Sequence, residues 1–293
     1  MISSSTSRSS RRRADRALGV FLWTSGIIAA SVALLVLAFV ASAALPTLTV
    51  LAPWRFVSGG AWHPIDGAVD MTALALGSLL VTFGAIALAL PLGLLVGAGT
   101  AIYAPPRLGG PLRVLLGVLA GIPSVVYGLW GLTVLVPLIN RWHAPGASLL
   151  AGALVLSLMV LPTIALAVEA SLRSLPGDLW RGSAALGLTR WSTLTGVALP
   201  AIRSGIGAGI LLSVTRALGE TMAVLMVCGN VVQIPASIFD PVRTLTATIA
   251  LEMGYATGQH QGVLFVAGLA LLLMVFALVL AARHFAGPAV THA

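Results

Sequence analysis

Residues 178–200, DLWRGSAALGLTRWSTLTGVALP, form the longest polar-containing interval between apolar runs that are each long enough to cross a bilayer. Leu175-Pro176-Gly177 makes a turn in front of it, because Pro176 cannot continue the preceding helix. A first helix is expected over 178–186, with Asp178 at its positive end. Gly187 breaks it. Thr189 is placed to cap a second helix that Pro200 ends. Leu188, Trp191, Thr195 and Ala198 recur at helical spacing, and Leu194 and Val197 widen that face. Arg173, Arg181, Arg190 and Arg203 surround it. A helical hairpin with an apolar face, outside the membrane, is built to insert into something.

The composition around this hairpin is that of a membrane protein. Apolar residues make up 58% and charged ones 8%, against about 25% charged in soluble domains. Several apolar runs reach the ~20 residues that span a hydrocarbon core. The fold class is all-α, a polytopic bundle. The single Cys228 excludes an internal disulfide and a thiol-built metal centre. All sixteen basic residues are arginine. A phosphate-binding P-loop needs its lysine, so this chain cannot be its own P-loop ATPase. The net charge of +8 is not a nucleic-acid footprint: Arg8, Arg11, Arg12, Arg13 and Arg16 precede the first span and most others sit in alternate loops. No H-E-x-x-H, G-x-S-x-G or paired intramembrane carboxylates occur, so an intramembrane hydrolase has no motif to stand on.

Taken in order, residues 1–16 read as a disordered cytoplasmic tail and 17–45 as an uncleaved first span, too long for a signal sequence. Residues 46–70 form an outside loop, with Trp54 and Trp62 suited to the interface and His63, Asp66 and Asp70 as solvated residues rather than metal ligands. The bundle core, 71–282, holds spans at about 71–103, 112–139, 147–170, 202–227 and 262–282, with the hairpin loop at 173–201 and a cytoplasmic tail at 283–293. Residues 105–113 read as a basic turn. Gly93-x-x-x-Gly97 permits close helix approach, and Pro91 should kink its span. The run 121–131, GIPSVVYGLWG, implies a broken helix, which is either a packing kink or a pathway lining in which Pro123, Ser124 and Tyr127 take part. Glu169 and Arg173 read as an interfacial ion pair. Residues 244–253 form a candidate helix folding partway into the membrane. Six spans place both termini inside.

Within the fifth span lies 216–220, RALGE. In a continuous helix Arg216 and Glu220 share one face at i,i+4, and either charge at the bilayer centre costs about 3 kcal/mol on insertion scales. The pair therefore faces the bundle interior. One reading is a self-neutralising packing pair. The other is a substrate path, in which the guanidinium offers bidentate hydrogen bonds to an oxyanion and Glu220 keeps the anion from being trapped. An ion-gradient-driven carrier or channel acting alone would suit the pair equally well, but has no need of the hairpin.

Three sets of residues carry a family resemblance. Gly187, nine intervening residues, then Val197-Ala-Leu199-Pro200 resemble the E-A-A-x3-G-x9-I-x-L-P loop of ATP-driven (ABC-type) importer permeases, with Arg181, Gly182 and Ser183 in the E-A-A positions. Residues 216–224, RALGETMAV, and 122–131, IPSVVYGLWG, are similar to the PstC-type permease of the bacterial phosphate importer, as is 243–253, RTLTATIALEM. The resemblance runs from about residue 50 onward. It implies a MetI-like permease bundle in the inner membrane that carries phosphate as a heterodimer with a PstA-like permease. It further implies a PstB-like ATPase dimer beneath, which holds ATP and Mg, and a PstS-like phosphate-binding protein outside. No cofactor is implied in this chain and no enzymatic role. The loop around Gly187 would transmit closure of the ATPase.

Overall fold

The computed structural model describes residues 5–58 and 60–286, with the side chains of 5–17, 106 and 282–286 left out of that description. Residues 1–4 and 287–293, expected in the two tails, lie outside the described residues. Helix α1 spans Ser5–Val50. The expected disorder over 1–16 is thus corrected for 5–16: this run has no Gly or Pro, and extending an existing helix is cheap compared with nucleating one. Nor does α1 stop at residue 45. It passes through Pro46, because one missing N–H is tolerated where the remaining ladder has no water to compete with it.

The segment after α1 contains a two-stranded antiparallel hairpin, β1 Trp62–His63 and β2 Ala68–Val69, turned by Gly67 in the left-handed region. Helix α2, Thr72–Ala98, runs through Pro91 and widens into a π turn at Gly99–Tyr103. Asp70, expected to be solvated, is buried and accepts from the Thr72 N–H at 2.8 Å, satisfying a free donor of the first turn of α2.

Residues 105–113 are not a loop. Helix α3 occupies Pro106–Gly121, with proline at its first position where no N–H is needed. The chain then breaks at Ile122-Pro123 and resumes as α4 Ser124–Trp130, a π turn Gly131–Leu135 and α5 Val136–Asn140. The two halves of this span are bent by 87°. Helix α6, Leu149–Arg173, is capped by Ser148, whose Oγ accepts from Ala151 N at 3.3 Å.

The hairpin follows as α7 Gly177–Ala185, α8 Arg190–Thr193, a π turn Leu194–Ala198 and α9 Leu199–Ala201. Pro200 does not end the second helix; the bend comes two residues on, at Ile202, and turns the chain by 71° into α10, Arg203–Leu218. The π turn widens the ladder just before the residue that has no N–H to donate. The fifth span breaks again at 219–221 before α11, Met222–Val227. Helix α12, Leu245–Glu252, is capped by Thr244, and α13, Gly258–Ala286, starts four residues before the expected 262.

Among the described residues four helices are long and apolar enough to cross a membrane alone, and counting each bent pair as one span gives six. The core is the seam between α2 and α6, where Val155, Leu156, Met159, Val160 and Ile164 are buried. The close approach rests on Gly93 and Gly97: a Cβ on Gly97 would lie 2.6 Å from the Ala165 carbonyl oxygen. A second cluster joins Leu74, Leu245, Val263 and Leu264 to Ala44. Helix α1 leans on α13, with Phe39 and Phe265 edge to face at 5.9 Å.

Candidate functional site

Gly219 and the two residues after it leave the α10 ladder, so Arg216 and Glu220 are not on one helix face. No ion pair joins them among the described residues. Each charge meets a helix end instead. Arg216 Nη2 donates to the Ala120 carbonyl at 3.3 Å, one residue before α3 ends, and Tyr127 Oη donates to the Leu119 carbonyl at 2.9 Å. A cation beside exposed carbonyls offsets the negative end of α3. Glu220 Oε1 accepts from Ala223 N at 3.2 Å, an anion at the start of α11. The Glu220 carbonyl, orphaned by the break, accepts from Thr246 Oγ1 at 2.7 Å, and Thr246 in turn meets Thr244 Oγ1 at 3.0 Å.

The two broken spans therefore meet at their breaks. Gly128 of α4 lies so close to α11 that a Cβ there would be 3.0 Å from the Ala223 Cα and 2.9 Å from Met226 Sδ. Tyr127 sits within electrostatic range of Arg216. Of the pathway candidates, Tyr127 and Ser124 are half-buried and Pro123 is exposed. Irregular backbone at such depth is stable only against protein or a water-filled path, and here side chains supply the missing partners. The arrangement presents a half-buried guanidinium, a phenol and hydroxyls between four helix ends. That chemistry suits a small oxyanion.

On the hairpin, Gly187 adopts φ 75°, Gly187 N donates to the Ala184 carbonyl at 3.0 Å and Leu188 N to the Ser183 carbonyl at 3.1 Å. This is the paired closure in which a glycine ends a helix in the left-handed conformation. Thr189 Oγ1 accepts from Ser192 N at 3.1 Å, capping α8. Arg181 is exposed and paired with Asp178; Gly182 is open to solvent; Ser183 is buried against the Leu179 carbonyl. The expected apolar face is split. Leu194 and Ala198 turn into the core, whereas Leu188 and Trp191 stay exposed at 41% and 59%, as does Leu186 ahead of them. Val197 and Leu199 are half-buried and Pro200 exposed.

Two charged clusters were not foreseen. Glu169, expected at an interface with Arg173, is 1% exposed and held by both Arg113 Nη2 at 2.7 Å and Arg173 Nε at 2.9 Å. Reading 105–113 as a turn hid Arg113. At the end of the bundle near the β1–β2 hairpin, Glu252 is gripped by Arg243 Nη1 at 2.8 Å, His260 Nε2 at 2.9 Å and the Trp62 indole N–H at 3.1 Å. Trp62 is therefore buried there rather than interfacial. A cavity of about 730 Å³ opens beside it, lined by His63, Gln233 and Tyr255 among others. The only sequence signal for this cluster was that Arg243 and Glu252 flank an apolar helix.

Residues 89–287 match the family described as the binding-protein-dependent transport system inner membrane component. The chain is 40% identical over 265 residues to a probable ABC transporter permease protein, YqgH, of Bacillus subtilis, covering 88% of this chain and 85% of that one. It is 32% identical to the phosphate transport system permease protein PstC of Mesorhizobium japonicum, with 79% and 77% covered, and 35% identical to PstC 1 of Mycobacterium tuberculosis, with 76% and 73% covered. Among solved structures it is similar to the inward-facing MetNI methionine ABC transporter, with a TM-score of 0.57 at 20% identity over 77% of this chain and 95% of that one. It is also similar to a bacterial ABC transporter that imports alginate, with a TM-score of 0.58 at 14% identity and 82% and 86% covered.

Proposed function

Since the chain belongs to the inner membrane component family of binding-protein-dependent transporters, as a PstC-type ABC importer permease, we propose that it moves inorganic phosphate inward across the cytoplasmic membrane. It works as one half of a heterodimer with a PstA-like permease. A PstB-like ATPase dimer carrying ATP and Mg binds beneath, and a PstS-like protein delivers phosphate from outside. Both termini are cytoplasmic. The observation that carries the substrate is Arg216: a permanently charged guanidinium at the meeting of two broken spans, held by a single 3.3 Å bond to a carbonyl that an anion can replace.

In this reading Glu220 does not neutralise Arg216 directly. It holds the first turn of α11 in place, and its charge near the path disfavours deep trapping of an anion. Tyr127 and Ser124 line the same passage. The exposed Leu186, Leu188 and Trp191 on the hairpin are the apolar surface that docks into the ATPase, with Arg181, Gly182, Ser183 and Gly187 shaping its first helix and Val197, Leu199 and Pro200 its second. A stand-alone carrier would leave that surface without purpose.

The test is uptake of labelled phosphate into proteoliposomes holding this chain with its candidate permease partner, ATPase and binding protein, with ATP on the ATPase side. Uptake should require ATP and the binding protein and be abolished by Arg216→Gln. Unchanged uptake by that variant would remove Arg216 from the path. Uptake without the ATPase would return the stand-alone carrier.

A further inference from the structure

We propose that Glu169 is a positioning residue that carries movement of the hairpin to Arg216, an inference that rests on the importer reading above. Three donors from two helices converge on one oxygen of its carboxylate: Arg113 Nε at 3.0 Å and Nη2 at 2.7 Å, and Arg173 Nε at 2.9 Å. Both arginine side chains are 47% exposed, while that of Glu169 is 2% exposed. The buried member is thus the fixed pivot and the two arginines are the arms.

One arm leads to the hairpin. Arg173 is the last residue of α6, and its Nη2 also reaches the Thr100 carbonyl at 3.4 Å, in the π turn that closes α2. Four residues later α7 begins, and its Trp180 packs with Leu172, Leu175, Ala101 and Ile102 around a cleft of about 420 Å³ beside Arg173. A push on α7 is therefore delivered to the Arg173–Glu169 junction. The other arm leads to the substrate path. Arg113 lies on α3, seven residues before Ala120, which is about 10 Å along a helix at 1.5 Å per residue. The Ala120 carbonyl is the partner of Arg216. Helix α3 is free to act as a rod, because it ends at the Ile122-Pro123 break rather than continuing into α4.

The sequence of contacts is thus α7, Arg173, Glu169, Arg113, α3, Ala120, Arg216, with apolar packing at the first step and a helix or a charge-assisted bond at each later one. Displacement of α3 at its start withdraws or presents the carbonyl that competes with the anion for Arg216. That couples the position of the hairpin to the availability of the guanidinium. Loss of the Glu169 charge leaves the hairpin able to bind the ATPase and the path able to bind phosphate, but separates the two.

The experiment measures phosphate moved per ATP hydrolysed in the reconstituted four-component vesicles. Glu169→Gln keeps the shape and an acceptor but removes the charge. The ratio is expected to fall about tenfold, within the range by which residues on a coupling network act, with binding-protein-stimulated hydrolysis retained. Arg113→Gln, at a half-exposed position that does not depend on refilling a buried site, is expected to do the same. A label on Val118→Cys of α3, an exposed position while the native Cys228 is buried, should lose its ATP-dependent change in mobility in both variants. Ratios within a factor of about two of the unaltered complex in Arg113→Gln would overturn the proposal, whether or not Glu169→Gln assembles. An unaltered complex that moves no phosphate would instead refute the importer reading.

Discussion

Replacing Glu252 by alanine removes the acceptor shared by Arg243, His260 and Trp62. The Arg243 side chain is 14% exposed, and its Nε already has no hydrogen-bond partner, so the guanidinium would be left charged, largely dehydrated and with one partner fewer. Removing one member of a buried pair costs 3–5 kcal/mol; the residual exposure of Arg243 argues for the low end, about 3 kcal/mol. At 2–4 °C per kcal/mol for a chain approaching this size, the unfolding midpoint should fall by roughly 6–12 °C. Cys228, the only thiol, is 1% exposed and its reaction with a fluorogenic maleimide in detergent reports unfolding directly. Glu252→Ala with Arg243→Leu should recover most of the loss, because the stranded charge goes with its partner. A fall of less than about 2 °C for Glu252→Ala, or no recovery in the double variant, would show that the cluster is hydrated and that burial is not what makes it matter.

Gly97→Val should prevent assembly of a folded chain, since its Cβ would sit 2.6 Å from a backbone oxygen in the α2–α6 seam, a clash costing more than the ~1–3 kcal/mol of ordinary overpacking; accumulation of monodisperse protein in detergent checks it. Gly187→Val forces a branched side chain into φ 75° with open space around it, so it should cost about 1–2 kcal/mol of strain, lower the midpoint of thiol exposure by about 2–8 °C and lower ATP-coupled uptake. Thr246→Val removes the donor to the Glu220 carbonyl and should slow uptake without abolishing it; rates equal to the parent would place that hydroxyl outside the path.

The membrane class, the hairpin and the break at Pro123 were legible in the sequence because each depends on local chemistry. Apolar run length, a glycine that tolerates positive φ and a threonine before a helix are read from neighbours in the chain. The pairing of Arg216 with Glu220 was misread because i,i+4 spacing presumes an unbroken ladder, and nothing in RALGET except one glycine marks the break at 219–221. The partner that Arg216 finds, a backbone carbonyl at Ala120, has no side-chain signature at all. Arg113 with Glu169 and Trp62 with Glu252 join residues from distant segments; only the fold brings them together, while Arg243 and His260 reach Glu252 from either side of α12.

The meeting of the two breaks also bears on what a change of access costs. A continuous span can bend only by rupturing a run of i→i−4 bonds where no water waits to replace them. At Ile122-Pro123 and at 219–221 no such run exists, and the loose carbonyls and amides are already served by Tyr127, Arg216, Glu220 and Thr246. The third and fifth spans are therefore jointed limbs rather than beams. Reorienting one half against the other turns a few backbone torsions and re-pairs four side chains, so a change of access moves limbs past one another and melts no helix.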